Sequence, residues 1–280
     1  MATTIGAIAL GIIAIGFAWL ADAAAKQFSI LFATYRYAPL LVTPLGLGLI
    51  VWVTRRFAPN ARGSGIPQVI AGSDDPKHAV QVGLISAPTA MFKMLATAAA
   101  LLVGASVGRE GPTVQVSAAI MAFTHRILRI ELSTAVVIAG GAAGISAAFN
   151  TPLAGVAFAI EELAASYHQR LALLAMASVM ISGLVSLGLA GDYLYFGAVH
   201  EVLSLKDSLF VSLVAGVVGG FSGGVFSLAI IKFGTTNAKF FVRLHAYPIR
   251  FAMGCGLLIA IIGIATKGAT WGAGYDTAKM

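Results

Sequence analysis

The feature that most constrains this chain is a series of apolar stretches, at about 5–25, 38–53, 83–107, 171–191, 208–231 and 251–266. Each is long enough to carry a helix through a bilayer, which takes roughly 20 mostly apolar residues for about 30 Å of hydrocarbon. None shows the alternation of polar and apolar residues that marks the strands of an outer-membrane barrel. The pattern predicts an all-α integral membrane protein. Composition enters here as a check: 59% of the residues are hydrophobic and 10% charged, where a globular domain carries about 25% charged residues. That scarcity excludes a disordered chain and nearly every soluble enzyme, and a lone cysteine, Cys255, excludes a disulfide scaffold.

Three further apolar stretches, 111–124, 133–149 and 151–163, are too short to cross upright. They are parted by His125, Arg126, Arg129 and Glu131, and then by the Asn150-Thr151-Pro152 break. A helix that stops inside a membrane leaves backbone groups without partners, which is tolerated only beside a polar cavity or within protein. Short segments interrupted by Gly and Pro therefore point to a transport site; the alternative is tilted helices joined by surface loops. Arg55, Arg56 and Arg62 follow the second long stretch, against Lys26 and Arg36 before it, which puts the 55–62 loop and the start of the first helix in the cytoplasm. Ala21-Asp22-Ala23 resembles a signal-peptide cleavage site, but no basic region precedes the apolar run, so the first helix is expected to be retained. Glycines spaced by four (Gly216, Gly220 and Gly224; Gly219 and Gly223) and the cluster Gly140, Gly141 and Gly144 predict close helix packing.

Charged groups within apolar segments are functional candidates by default. Here they are Lys93, Arg109, Glu110, Glu161 and Glu162. Gly108-Arg109-Glu110-Gly111-Pro112-Thr113 reads as a helix start, with free N–H groups and the positive end of the helix dipole. The Glu110 carboxylate can occupy the position that such an end offers to an anion, and protonating or displacing it frees that position: the physics of a gate. The alternative is a plain helix-start carboxylate at the membrane surface. Gly63-Ser64-Gly65-Ile66-Pro67 has the same layout. The Ser64 hydroxyl beside exposed N–H groups suits a halide, held weakly enough to leave; the alternative is an N-capped loop. After Asn150-Thr151-Pro152-Leu153-Ala154-Gly155, a short apolar helix ends in Glu161-Glu162, whose side chains point about 100° apart. One of them can face inward and load protons; the alternative is a solvated helix end.

Other chemistries fit poorly. Gly104-Ala105-Ser106-Val107-Gly108 satisfies the G-x-S-x-G pattern of serine hydrolases, yet it lies in an apolar helix and not at a strand-to-helix elbow. The histidines, at 78, 125, 168, 200 and 245, are scattered, and none pairs with a carboxylate at ligand spacing. No metal site and no cofactor are expected. The excess of positive charge is spread over loops, where it sets orientation, so no nucleic-acid partner is expected.

Together, GSGIP at 63–67, GREGP at 108–112 followed by Thr113-Val114-Gln115, and AAFNTPLAGVAFAIEEL at 147–163 resemble the signature segments of the CLC chloride channel and transporter family. The resemblance extends from the first helix to Gly272-Ala273-Gly274-Tyr275-Asp276. It implies a CLC-like bundle of tilted and broken helices, with Glu110 as external gate and proton acceptor, Ser64 as the central chloride-coordinating serine and Glu162 as the internal proton relay. Ser64, Gly65, Ile66, Arg109 and Gly111 form the implied anion-binding set, and Lys93 matches a family lysine that lines the pore. A carboxylate at 162 favours chloride/proton antiport over a passive voltage- or proton-gated channel. The resemblance also implies a homodimer in a bilayer, at the bacterial inner membrane. The family's second inverted half supplies a G-x-F-x-P helix start and a tyrosine that do not occur in this sequence. The expectation is therefore one transmembrane domain over 1–280, truncated at its C-terminus with the second half incomplete. A non-transporting fragment or assembly partner lacking half the pore is the reading from another class.

Overall fold

The computed structural model describes residues 2–163, 169–191, 204–235 and 246–275, and among them every regular element is helical. In chain order these are α1 (Ala2–Thr34), α2 (Pro39–Phe57), α3 (Ile66–Asp74), α4 (Pro76–Gln81), α5 (Ala87–Leu102), α6 (Glu110–Ile127), α7 (Thr134–Phe149), α8 (Pro152–Phe158), α9 (Gln169–Ala190), α10 (Leu205–Thr235) and α11 (Pro248–Ala265). A short 3-10 turn, Pro59–Ala61, precedes α3, and a π-helical turn, Ala159–Leu163, continues α8. Three of the scattered histidines, His168, His200 and His245, lie outside the described residues, as does Asp276.

Five helices are long and apolar enough to span: α1, α2, α9, α10 and α11. The sixth predicted stretch, 83–107, behaves differently, because only Ala87–Leu102 of it is helical. Ser86 caps that helix by accepting a hydrogen bond from the Thr89 N–H, and Gly104 takes a positive φ under the Phe28 ring, so both ends are fixed by local chemistry that hydropathy does not register. Of the expected breaks, the one at 150–152 is present, and the one marked by His125, Arg126, Arg129 and Glu131 starts later than expected, since His125 and Arg126 belong to the last turn of α6. Asn150 closes α7 in the left-handed conformation and Pro152 opens α8.

The interior is built around α7, whose residues from Val136 to Ala148 are all buried. A helix apolar all round must be enclosed on every side, and α3, α6, α8, α9 and α1 enclose it. Close approach rests on glycine: a Cβ at Gly140 would stand 2.8 Å from the Met121 Cβ, and one at Gly144 would stand 2.8 Å from the Ser117 Cβ. Serines tie α9 to α7. Ser182 Oγ donates to the Ala143 carbonyl (2.8 Å), Ser186 Oγ to Ala147 (2.9 Å), and Ser146 Oγ reaches back to Val179 (2.9 Å). Such interhelical bonds contribute about 0.6 kcal/mol each in membrane bundles. α2 and α11 pair separately, with Gly256 against Pro44 and Gly48 against Met253. The outward faces carry large apolar side chains such as Leu41, Leu45 and Trp52, as a lipid-facing surface requires.

The glycine stripe of α10 departs from expectation. No α10 residue is buried, and nothing described lies within 4 Å of where side chains at Gly216, Gly219, Gly220, Gly223 and Gly224 would begin. Of the two predicted packing sets, the one at 140–144 packs and the one at 216–224 meets no described residue.

Candidate functional site

The geometry of the site starts in the loop before α3. Gly63 and Gly65 both have positive φ, at 69° and 110°, and turn the chain sharply into the helix. Pro67 fits the first turn, where a missing N–H costs nothing. No side chain caps α3, so the N-capped-loop alternative does not describe Ser64, which stands exposed. It stands just before the first turn of α3, whose N–H groups have no helical partner of their own.

Two buried side chains hold this loop from beneath. Lys93, in the middle of α5, donates from Nζ to the Ala61 carbonyl (2.8 Å) and to the Gly63 carbonyl (2.5 Å). Gln115, in α6, donates from Nε2 to the carbonyls of Asn60 (3.0 Å) and Leu84 (2.8 Å). Lys93 thus lines this region with an ammonium that is spent on orienting backbone.

The start of α6 meets the start of α3 edge to edge. A Cβ at Gly65 would stand 2.8 Å from the Gln115 Cβ and 2.9 Å from the Gly111 carbonyl oxygen, and one at Gly111 would stand 3.0 Å from the Ser64 Cβ. Only glycine at both positions lets two helix starts approach this closely. Two dipoles then point into one space, which favours negative charge there. Glu110 is the first residue of α6, is partly buried, and carries its carboxylate over Gly108.

Ser64, Lys93, Glu110 and Gly111 line one cavity of about 840 Å³. Apolar side chains of α2 and α11 wall it, among them Ile50, Val51 and Phe251, and Arg55 and Arg62 add positive charge. Cys255 also faces it. Gln115, Arg55, Arg62 and Cys255 stand at the site although no sequence motif marks them for it. The available signal for Gln115 was a lone amide in the apolar run after GREGPTV.

The other candidates do not line this cavity. Gly65 is buried under the junction, and Ile66 packs into the apolar core around Val69 and Leu163. Arg109 caps α6 with its backbone, but its guanidinium points away from Ser64: Nη1 donates to the Ala18 carbonyl (2.9 Å) and to Asp22 (2.8 Å), and the group lies 5.5 Å above the Tyr275 ring. Glu161 and Glu162 sit in the π-helical turn, both exposed, and neither lines the Ser64 cavity. The short helix runs as α8 to Phe158, and the π-helical turn that continues it carries the two glutamates. Among the described residues no cluster of His, Cys, Asp and Glu could hold a metal ion. His125 is buried with Nδ1 3.0 Å from the Met121 carbonyl, a helix-internal contact.

A membrane bundle in which two short helices begin at one shared cavity has the architecture of an ion-path protein. The chain belongs to the voltage gated chloride channel family, whose profile matches residues 45–280. It is 30% identical to the H(+)/Cl(-) exchange transporter ClcA of Yersinia pseudotuberculosis serotype IB (strain PB1/+), across 96% of this chain and 58% of that protein. ClcA of Yersinia pestis bv. Antiqua (strain Angola) gives the same identity and the same coverage, 96% and 58%. The chain therefore spans 58% of the length of these relatives. Its fold matches a slow cyanobacterial Cl-/H+ antiporter with a TM-score of 0.74 and 20% identity, over 94% of this chain and 63% of that one. A CLC-type fluoride/proton antiporter also matches with a TM-score of 0.74 and 20% identity, over 97% and 67%.

Proposed function

We propose that this chain carries the anion path of a chloride/proton antiporter, in a bacterial inner membrane. The observation that supports this best is the meeting of Ser64, Glu110 and the starts of α3 and α6 at one cavity. Chloride in that cavity is attracted by two helix dipoles, the Ser64 hydroxyl and the basic residues Arg55 and Arg62, while the Lys93 ammonium is already engaged by two carbonyls. Glu110 is itself an anion at the same helix end, so its carboxylate and chloride compete for one position. Protonation removes that competition, and chloride binding and proton uptake become two faces of one exchange. Glu162 is the second proton carrier in this reading, on the family resemblance of its motif. Its π-helical turn is an element that occurs often at functional sites.

A passive channel is the second reading, favoured by the position of Glu162 outside the cavity that Glu110 lines. Flux in reconstituted vesicles separates the two. Glu110→Gln is expected to let chloride move with no accompanying protons. Glu162→Gln is expected to abolish proton movement and leave chloride flux. Chloride-driven proton pumping that survives Glu110→Gln would overturn the gate assignment. A wild-type reversal potential insensitive to a pH gradient would establish the channel.

A further inference from the structure

The start of α6 is gripped from the side away from the Ser64 cavity. Arg109 immediately precedes Glu110, and its carbonyl accepts from the Thr113 N–H (2.9 Å) and the Thr113 hydroxyl (2.7 Å), which opens the helix. Its side chain crosses to α1, where Nη1 donates to the Ala18 carbonyl (2.9 Å) and to Asp22 Oδ1 (2.8 Å). Arg109 is 7% exposed, and a buried guanidinium stays where its acceptors stand. The pair therefore does two things. It ties the first turn of α6 to a spanning helix, and it neutralises a positive charge one residue from the Glu110 carboxylate.

The other charges around Glu110 do not duplicate that effect. Across the Ser64 cavity stand Lys93 of α5, Arg55 of α2, Arg62 of the loop before α3 and the Cys255 thiol of α11. Behind it, around Arg109, stand Asp22 and Lys26 of α1, and Lys267 and Tyr275 of the turn after α11. α7 has no ionisable side chain, and the remaining ones of α3 and α6, Asp74, His125 and Arg126, lie in the last turns of those helices. Asp22 is the one carboxylate in the set that stands around Glu110. We propose that Asp22 is a positioning residue for the gate: by holding and neutralising Arg109, it sets where the Glu110 carboxylate stands and how much acid frees the position it occupies. The proposal rests on the reading of Glu110 as the gate.

The test is the pH profile of chloride flux in vesicles reconstituted with the full chain. In Asp22→Asn the Ala18 carbonyl and the Tyr275 ring, 5.5 Å away, still hold Arg109, so its charge stays in place without a counter-ion. That charge favours the ionised carboxylate, and the profile is expected to move to lower pH by about half a unit. Arg109→Gln removes the cation and leaves the Asp22 carboxylate, so the profile is expected to move to higher pH by a similar amount. Asp22→Glu keeps the charge and is expected to keep the wild-type profile. Loosened packing alone would move both neutral variants the same way. Shifts in one direction, no shift, or a shift in Asp22→Glu as large as in Asp22→Asn would each overturn the proposal. Asparagine keeps the shape and the accepting oxygen on a side chain that is 64% exposed, so Asp22→Asn is expected to fold. If Arg109→Gln does not fold, the direction of the Asp22→Asn shift decides alone. Glu110→Gln separates the two readings. A pH profile that survives it overturns the gate, whereas a profile that it flattens and Asp22→Asn leaves unmoved overturns only the role of Asp22.

Discussion

Gly65 and Gly111 sit where two helix starts press together, whereas Gly216, Gly220 and Gly224 run along one face of α10, clear of every other described residue. In sequence, both sets are small residues in apolar surroundings at spacings that permit close packing. In space, one is the tightest junction of the site and the other is open. The difference lies in the polar residues around them. Lys93 and Gln115 hold the loop before α3 from two different helices, so the chain at 60–65 has one place to go. Among the described residues α10 has no such lock: its one charged pair of neighbours, Lys206 and Asp207, stands at its exposed first turn. Glycine permits close approach; buried polar groups specify where the approach occurs.

The comparison is most exposed at Gly65. Alanine there meets a φ of 110° that side-chain-bearing residues rarely adopt, together with contacts at 2.8 and 2.9 Å to Gln115 and the Gly111 backbone. Backbone strain and overpacking each cost about 1–3 kcal/mol. Gly65→Ala is therefore expected to lose about 3 kcal/mol or more of stability, and chloride flux with it. A thermal melt in detergent within a degree or two of wild type would show that the junction is looser than drawn.

Lys93→Met comes next. Methionine nearly preserves volume but leaves the Ala61 and Gly63 carbonyls without their donor, at a cost of about 1–3 kcal/mol. Because those carbonyls belong to the loop that presents Ser64, chloride affinity should fall along with Tm. A variant with normal chloride binding by titration would mean that Gln115 alone orients the loop, and that the double lock is redundant.

Much of this was legible in the sequence, and the reasons differ by feature. The helix starts at 110 and 152 were visible because Gly, Pro and Asn mark them, and the one at 134 because charged residues part the two apolar stretches. The juxtaposition of Ser64 with Glu110 could be inferred from motif order, but the cause of it could not. The cause is the pair Lys93 and Gln115, whose acceptors lie 32 and 30 residues away for Lys93 and 55 and 31 away for Gln115. Arg109 shows the converse. Its neighbour in sequence faces the Ser64 cavity, yet successive residues of a helix start point in different directions, and Asp22, which lies 87 residues before it, captures the guanidinium. The sixth apolar stretch was overread because hydropathy does not detect the Ser86 cap or the turn at Gly104.

The smallest effect is expected on α10. Gly220→Ala meets nothing described, and alanine is favoured over glycine in a helix interior by about 1 kcal/mol. The substitution should leave Tm unchanged or raise it slightly, with wild-type flux. Gly144→Ala, where Ser117 Oγ stands 2.5 Å from the new Cβ, is the matched control and should destabilise. If instead Gly220→Ala lowers Tm as Gly144→Ala does, the α10 stripe must be covered in the membrane by protein, since fluid lipid accommodates one methyl group without penalty. The two glycine sets would then be alike after all, and the contrast between a locked junction and an open face would reduce to a partner that α10 meets outside the described residues.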